Sequence, residues 1–215
     1  MKDNVEERAY RSIIGLILSG KYRPGNFLLE VDLASQLGVS RTPVSRALAR
    51  LVTEGFLNKL PKKGCYIPLP TPEDAAQVFS AREAVEGMAA AQAAINATDE
   101  EIQRLGEFIR ADENAVREKE KEIFAENNEF FHTGIARASR NAYLEKWCKN
   151  IFWRSNIYIF YFDSFYKTQE KNAIEQLTPI QHKAIFEAIQ ARDPQLAERK
   201  MREHISRTYN FLLLG

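Results

Sequence analysis

Apolar positions recur with helical spacing along almost all of this 215-residue chain, and the exceptions are confined to its first third. From residue 5 to about residue 20, Ala9, Ile13, Ile14, Leu16 and Ile17 form one stripe that ends at Gly20. Tyr22-Arg23-Pro24-Gly25 is a turn signal. Leu33 to Gly38 then reads as a short helix stopped by glycine, and a second helix follows at once. Ser40 sits where an N-cap is needed, able to accept a bond from an orphan N–H, and Pro43 falls in the first turn, where its missing N–H is harmless. Val44, Leu48 and Leu51 give this helix a narrow buried stripe. Away from the stripe it offers Arg41, Thr42, Ser45, Arg46 and Arg50, with no acid among them. The pair is a helix-turn-helix, and basic and hydroxyl residues near the start of its second helix suit a major-groove reader.

Beyond Gly55 the pattern shortens. Phe56-Leu57-Asn58-Lys59-Leu60 and Gly64-Cys65-Tyr66-Ile67-Pro68 are strand-like, and Pro61-Lys62-Lys63 turns between them. Three helices plus a two-stranded hairpin predict a winged helix with Lys62 and Lys63 at the wing tip. Pro68, Pro70 and Pro72 stiffen a linker, which divides the chain into a DNA-binding domain over 1–70 and a second domain over 71–215. The second domain reads as helix throughout. Thr71-Pro72-Glu73-Asp74 supplies a cap, a first-turn proline and two acids; Thr98 with Glu101 is a capping box; Asp193-Pro194 opens the last helix. Helices are expected near 72–95, 99–117, 119–138, 141–163, 169–191 and 194–213. The fold class is therefore mainly α: a winged helix-turn-helix followed by an all-α bundle of about six helices.

Charge sharpens this division. The formal net charge of +1 hides a split, since residues 1–70 carry 11 Lys and Arg against 6 Asp and Glu, and residues 71–215 carry 19 against 23. A basic head on an acidic body fits contact with a polyanion through the head alone. Two distant cysteines, Cys65 and Cys148, match no metal or redox spacing and suit reduced thiols. No N-terminal apolar segment suggests export, and the most apolar run, Ile151 to Tyr166, is too short and too interrupted to span a bilayer. A cytoplasmic protein is expected.

All three histidines, His132, His182 and His204, fall in the helical domain, each on a different expected helix and each within an amphipathic pattern. Helices of one bundle can bring three imidazoles to a core cavity, although scattered histidines are more often surface or satisfied core residues. The helix with Phe152, Trp153, Tyr158, Phe160, Tyr161, Phe162, Phe165 and Tyr166 suits core and subunit packing, with a ligand cage as the alternative. Arg154 and Asn156 are polar positions of that helix and are candidates for effector binding.

The segment from Leu33 to Ile67, with Val39-Ser40-Arg41-Thr42-Pro43-Val44 and its Lys-Gly wing, resembles the DNA-binding domain of GntR-type bacterial repressors. The bundle, with Arg82-Glu83-Ala84-Val85-Glu86 in its first helix and the three histidines later, resembles the effector-binding FCD domain of the FadR-like branch. The resemblance implies that Ser40, Arg41, Thr42, Lys63 and Gly64 touch DNA. Ser45, Arg46, Arg50 and Lys62 join them as candidates from their positions. Ser45 and Val31 stand where family members often carry arginine, and Arg46 lies about 100° around the helix from position 45, so it does not simply replace that arginine. The resemblance further implies that His132, His182 and His204 hold a divalent transition metal such as Zn, Ni or Fe. The family's fourth ligand is an aspartate one turn before the first histidine, and that position here is Asn128, a neutral and weaker donor. Arg82 matches a family arginine that meets a carboxylate on the effector.

These readings converge on a ligand-responsive transcriptional regulator: a homodimer on a palindromic double-stranded operator, most simply a repressor released by a small organic acid. An architectural DNA binder without an effector is the alternative. A metal-dependent enzyme is disfavoured, because neither an HExxH nor a nucleophile motif occurs.

Overall fold

The computed structural model describes residues 5–118, 121–161 and 171–213. The head begins with α1 (Val5–Leu18), β1 (Phe27–Leu28), α2 (Glu30–Leu37) and α3 (Arg41–Thr53). It ends with β2 (Asn58–Leu60) and β3 (Gly64–Tyr66). Gly38 closes α2 in the left-handed conformation, at φ 64°, and its cap N–H bonds to Ala34 and Ser35 carbonyls, as the sequence signal required. Ser40 occupies the N-cap of α3, but its side chain makes no cap bond. The wing differs from a two-stranded hairpin. β1 joins it by pairing antiparallel with β3, Phe27 opposite Tyr66 and Leu28 opposite Cys65, in the order β1-β3-β2. The added strand closes the open edge of β3, and Leu28 is buried by it. Lys62 takes the left-handed turn position between β2 and β3, at φ 65°.

The body follows as α4 (Pro72–Asn96), α5 (Asp99–Glu118), α6 (Lys121–Ala138), α7 (Ala142–Tyr161), α8 (Lys171–Gln190) and α9 (Pro194–Leu213). The expected starts are used. The Thr71 hydroxyl accepts from the Asp74 N–H at 3.1 Å. Thr98 and Glu101 exchange the two bonds of a capping box, and Asp193 accepts from the Leu196 N–H. α4 is the central helix, packed against α6, α7, α8 and α9. Its small residues Ala89, Ala90, Ala93 and Ala94 are buried and admit the neighbours closely, while Phe79, Phe131, Tyr158, Ile185 and Ile205 fill the core around them. Among the described residues no helix is long and apolar enough to cross a membrane. Cys65 and Cys148 are both unpaired and buried.

α7 serves both domains. Leu144 and Cys148 pack with Ala89 of α4 and Ala136 of α6. One turn further, Phe152, Trp153 and Ile157 join the apolar core of the head. The Trp153 ring meets Phe56 edge-on, with centroids 5.2 Å apart. Packing is therefore the use of these three aromatic-helix positions. Phe162, Phe165 and Tyr166 lie outside the described residues, as do the side chains of Phe160 and Tyr161.

Candidate nucleic-acid interface and histidine centre

Two sites emerge, one in each domain. In the head, a cleft of about 630 Å³ separates the start of α3 from the wing, and Arg41, Ser45, Lys62, Lys63 and Gly64 all line it. The buried stripe of Val44, Ala47, Leu48 and Leu51 turns these side chains outward. Glu30 of α2 crosses the same cleft and orders two of them, accepting from the Ser45 hydroxyl at 2.8 Å and from the Arg41 guanidinium at 3.2 Å. The Ser45 bond, then Arg41, hold the Glu30 carboxyl below its ordinary range despite some burial. Arg41 stays two-thirds exposed. Ser40 and Thr42 are exposed at the α3 N-terminus, and Arg46 is exposed on a longer 3.6 Å pair with Glu6.

Arg50 corrects the expected set. Its guanidinium binds Glu7 at 2.6 Å and Glu54 at 3.0 Å and lies 3.7 Å over the centroid of Tyr10. It faces α1, not the cleft, because position 50 falls on the side of α3 that packs there. Its task is to hold the head together.

In the body, the three histidines come from α6, α8 and α9 and meet in the core. Each is buried, their ring centroids lie 4.9–5.3 Å apart, and one nitrogen from each falls within 4.8 Å of the others. Each Nδ1 faces an oxygen: Glu86 Oε2 at 2.6 Å for His132, Asp112 Oδ2 at 2.7 Å for His182 and Gln181 Oε1 at 2.7 Å for His204. A carboxylate only accepts, so it fixes the proton on Nδ1 and leaves the Nε2 lone pair free. The Nε2 atoms of His132 and His182 are buried and have no hydrogen-bond partner among the described residues. Orphaned imidazole nitrogens beside one another fit a shared cation. Burial pushes the His132 imidazole down to about 4, outweighing the opposite pull of Glu86. Burial, then the other two imidazoles, drive His204 well below its ordinary value. Both are neutral at physiological pH, the state a ligand to a metal requires.

Asn128 lies on α6 one turn before His132 and is half-buried. Arg82 is not free to meet an effector carboxylate. Its side chain is 2% exposed and spans both oxygens of Glu86, at 2.6 and 3.3 Å, with a third bond to the Ser155 hydroxyl. Burial alone would raise the Glu86 carboxyl, but Arg82 and His132 outweigh it and hold it at about 2. Arg154 likewise turns to Asp74, at 2.6 Å, which also takes the Tyr158 hydroxyl. The family resemblance places Arg82 with an effector, and its polar position on the aromatic helix places Arg154 there. The alternative for Arg82 is a salt bridge to Glu83 or Glu86, and the i,i+4 spacing to Glu86 is the sequence signal for that internal pair. Asn156 is buried, and its Oδ1 has no hydrogen-bond partner among the described residues. Glu86, Asp112 and Gln181 were missed as partners of the histidines, since acids and amides on amphipathic helices look like a solvated face.

Known proteins share these features. Residues 5–67 match "Bacterial regulatory proteins, gntR family", and residues 77–207 match the FCD domain. The chain is 40% identical over 87 residues to an HTH-type transcriptional regulator in the TAR-I ttuE-ttuC' intergenic region of Agrobacterium vitis, a match covering 40% of the chain and 51% of that protein. It is 34% identical over 136 residues to the Nta operon transcriptional regulator of Aminobacter aminovorans, covering 63% of the chain and 64% of the relative. A probable D-xylose utilization operon transcriptional repressor of Paenarthrobacter nicotinovorans is 26% identical, with 90% of the chain and 82% of the relative covered. The first two matches thus span about half to two thirds of those relatives' lengths. Among solved structures, Escherichia coli McbR/YncC shares the fold over 99% of the chain and 98% of its own, with a TM-score of 0.79 at 22% identity. With a gntR-type winged head and an FCD domain over most of its remaining length, the chain belongs to the GntR family of bacterial regulators.

Proposed function

We propose that this protein is a DNA-binding transcriptional regulator, acting as a repressor, whose histidine centre in the body senses a small-molecule signal. The observation that carries the DNA-binding half is the shared cleft, where the N-terminal turns of α3 and the Lys62-Lys63 wing present cations and a hydroxyl to one groove. Lysine and arginine there supply the salt-dependent phosphate term, and Arg41 has the bidentate fork that reads guanine. Relatives named as operon regulators and as a repressor support this reading. The body supports the sensing half. A pure dimerisation module has no use for three buried imidazoles whose nitrogens converge, two of them with an Nε2 that has no hydrogen-bond partner among the described residues. His132, His182 and His204 would hold a transition metal such as Zn, Ni or Fe, with Asn128 or a ligand oxygen beside them, and a metal there supplies a Lewis-acid site for a small organic acid. Arg82 and Arg154 then shape the surroundings from their bonds to Glu86, Ser155 and Asp74, and Asn156, buried on α7, stays the candidate for direct contact with the effector. The regulator works in the cytoplasm, as a homodimer on a palindromic operator, and it is not an enzyme.

Arg41→Ala tests the interface. Loss of one good bidentate contact costs about 1–3 kcal/mol, so specific operator affinity should fall roughly tenfold or more while the thermal unfolding midpoint stays put. Equal operator affinity at moderate salt in a folded variant sinks the assignment. A mobility shift repeated with zinc and a panel of small carboxylates separates a sensor from an effector-independent binder.

A further inference from the structure

The three imidazoles are not backed alike. Glu86 behind His132 is already matched by Arg82, and Gln181 behind His204 is neutral. Asp112 behind His182 is different. It is 0% exposed, His182 Nδ1 is its one polar partner among the described residues, and its Oδ1 has none. A carboxylate taken wholly out of water with no cation beside it is costly, and the cost is removed by a cation placed close by.

We infer that Asp112 is a positioning residue that supplies, from behind His182, the negative charge that a metal cation needs and that Asn128 does not provide. The inference rests on the metal reading of the centre. Glu86 is offset by Arg82 and Asn128 is uncharged, so Asp112 is the acid of this set with no Lys or Arg bonded to it among the described residues. The family's acid sits among the first ligands, where an oxygen and a charge arrive together; in this chain the charge has moved one hydrogen bond outward. From that place Asp112 fixes the His182 proton on Nδ1, aims the Nε2 lone pair at the other imidazoles and raises its basicity. It also ties α5, which carries none of the three histidines, to α8. A harder cation that prefers oxygen gains little from this arrangement, because the donors presented to it are nitrogens.

The experiment uses the full chain, stripped of metal with a chelator, and zinc as the probe. Asp112→Asn keeps an acceptor for the His182 N–H and removes only the charge. Zinc affinity by calorimetry is expected to fall 10- to 100-fold, the usual effect of losing such a partner. The visible spectrum of the cobalt-loaded variant should match that of the parent, since the ligand atoms are unchanged. A purely structural role would lower the unfolding midpoint and leave zinc affinity alone, and zinc binding within twofold of the parent overturns the proposal. A measurement on the unmutated chain guards against a variant that does not fold. Nitrogen NMR of the zinc-loaded protein should show His182 bound through Nε2 with its Nδ1 proton retained, and ligation through Nδ1 overturns the inference. If the parent binds no zinc, the metal reading itself falls and this inference with it; if the parent binds and Asp112→Asn binds equally, only the inference falls.

Discussion

Single side chains in this protein are chosen as much for what stands behind them as for what they touch. His132 faces Glu86, Arg82, His182 and His204, and burial leaves its imidazole titrating near 4, where an unfolded chain titrates near 6.5. As pH falls through 6.5 the unfolded chain takes up a proton that the folded one refuses, so stability declines over the interval down to about 4. Glu86 extends the same trend lower, because its depressed carboxyl stabilises the fold above about 4.5 and that contribution is lost as pH falls toward 2. For His132 alone the loss between pH 7 and pH 5 is about 2 kcal/mol. Urea unfolding of the chelator-treated chain at the two pH values measures it, and equal midpoints would show that the imidazoles are not held neutral in the core. The histidines themselves were legible in the sequence, being three in number and placed on three amphipathic helices. Their partners were not. Asp112 sits in a run of charged residues that reads as a solvated face, and only packing between α5 and α8 shows it to be buried.

At the scale of elements, legibility followed the strength of local signals. Three helices of the body, α4, α5 and α9, are capped by Thr71, Thr98 and Asp193, and cap chemistry is local, so a single sequence carries it. β1 carries no such signal. It has two residues and exists only through pairing with β3, far along the chain, so the wing read as a hairpin when it is a three-stranded sheet. α7 was ambiguous for another reason. An aromatic helix buried on several sides has no polar face to give it a direction, and its Phe152 and Trp153 turned out to serve the head. The wing makes a separable prediction. Lys62 and Lys63 are exposed on a tight turn, and flexible ammonium groups there are expected to meet phosphate. Replacing both by alanine should lower the slope of log affinity against log salt by about one to two units, equally for operator and random DNA. An unchanged slope places the wing away from the backbone.

On the scale of the whole molecule, the proposed function turns on how the basic head is mounted on the acidic body. The mount is both apolar and ionic: Phe56 on Trp153, Glu54 with Lys149 at 2.9 Å, and Arg11 with Glu129 at 3.0 Å. Phe152 touches Trp153 on one side and the His132 ring on the other, at 5.8 and 5.3 Å, so the mount lies directly against the histidine centre. Dimerisation is expected through the body, where Met88, Tyr143 and Trp147 stay exposed beside the α4–α7 contact. Trp147→Glu should shift the full chain toward monomer in sedimentation at micromolar concentration, and an undisturbed dimer would move the contact elsewhere. In such a dimer a rigid mount converts body geometry into a fixed separation of the two heads, and hence of the half-sites they can occupy together. Trp153→Ala removes the ring that meets Phe56 across the mount, a truncation that costs about 3–5 kcal/mol in a packed core. The heads should then swing independently. The parent is expected to bind operators with a sharp optimum in half-site spacing, losing affinity when two base pairs are inserted, whereas Trp153→Ala should bind both spacings nearly alike while each head keeps its sequence preference. Mobility shifts on a spacing series read this directly. If the variant, still folded and dimeric, keeps the parent's sharp optimum, the heads are positioned by something other than this contact.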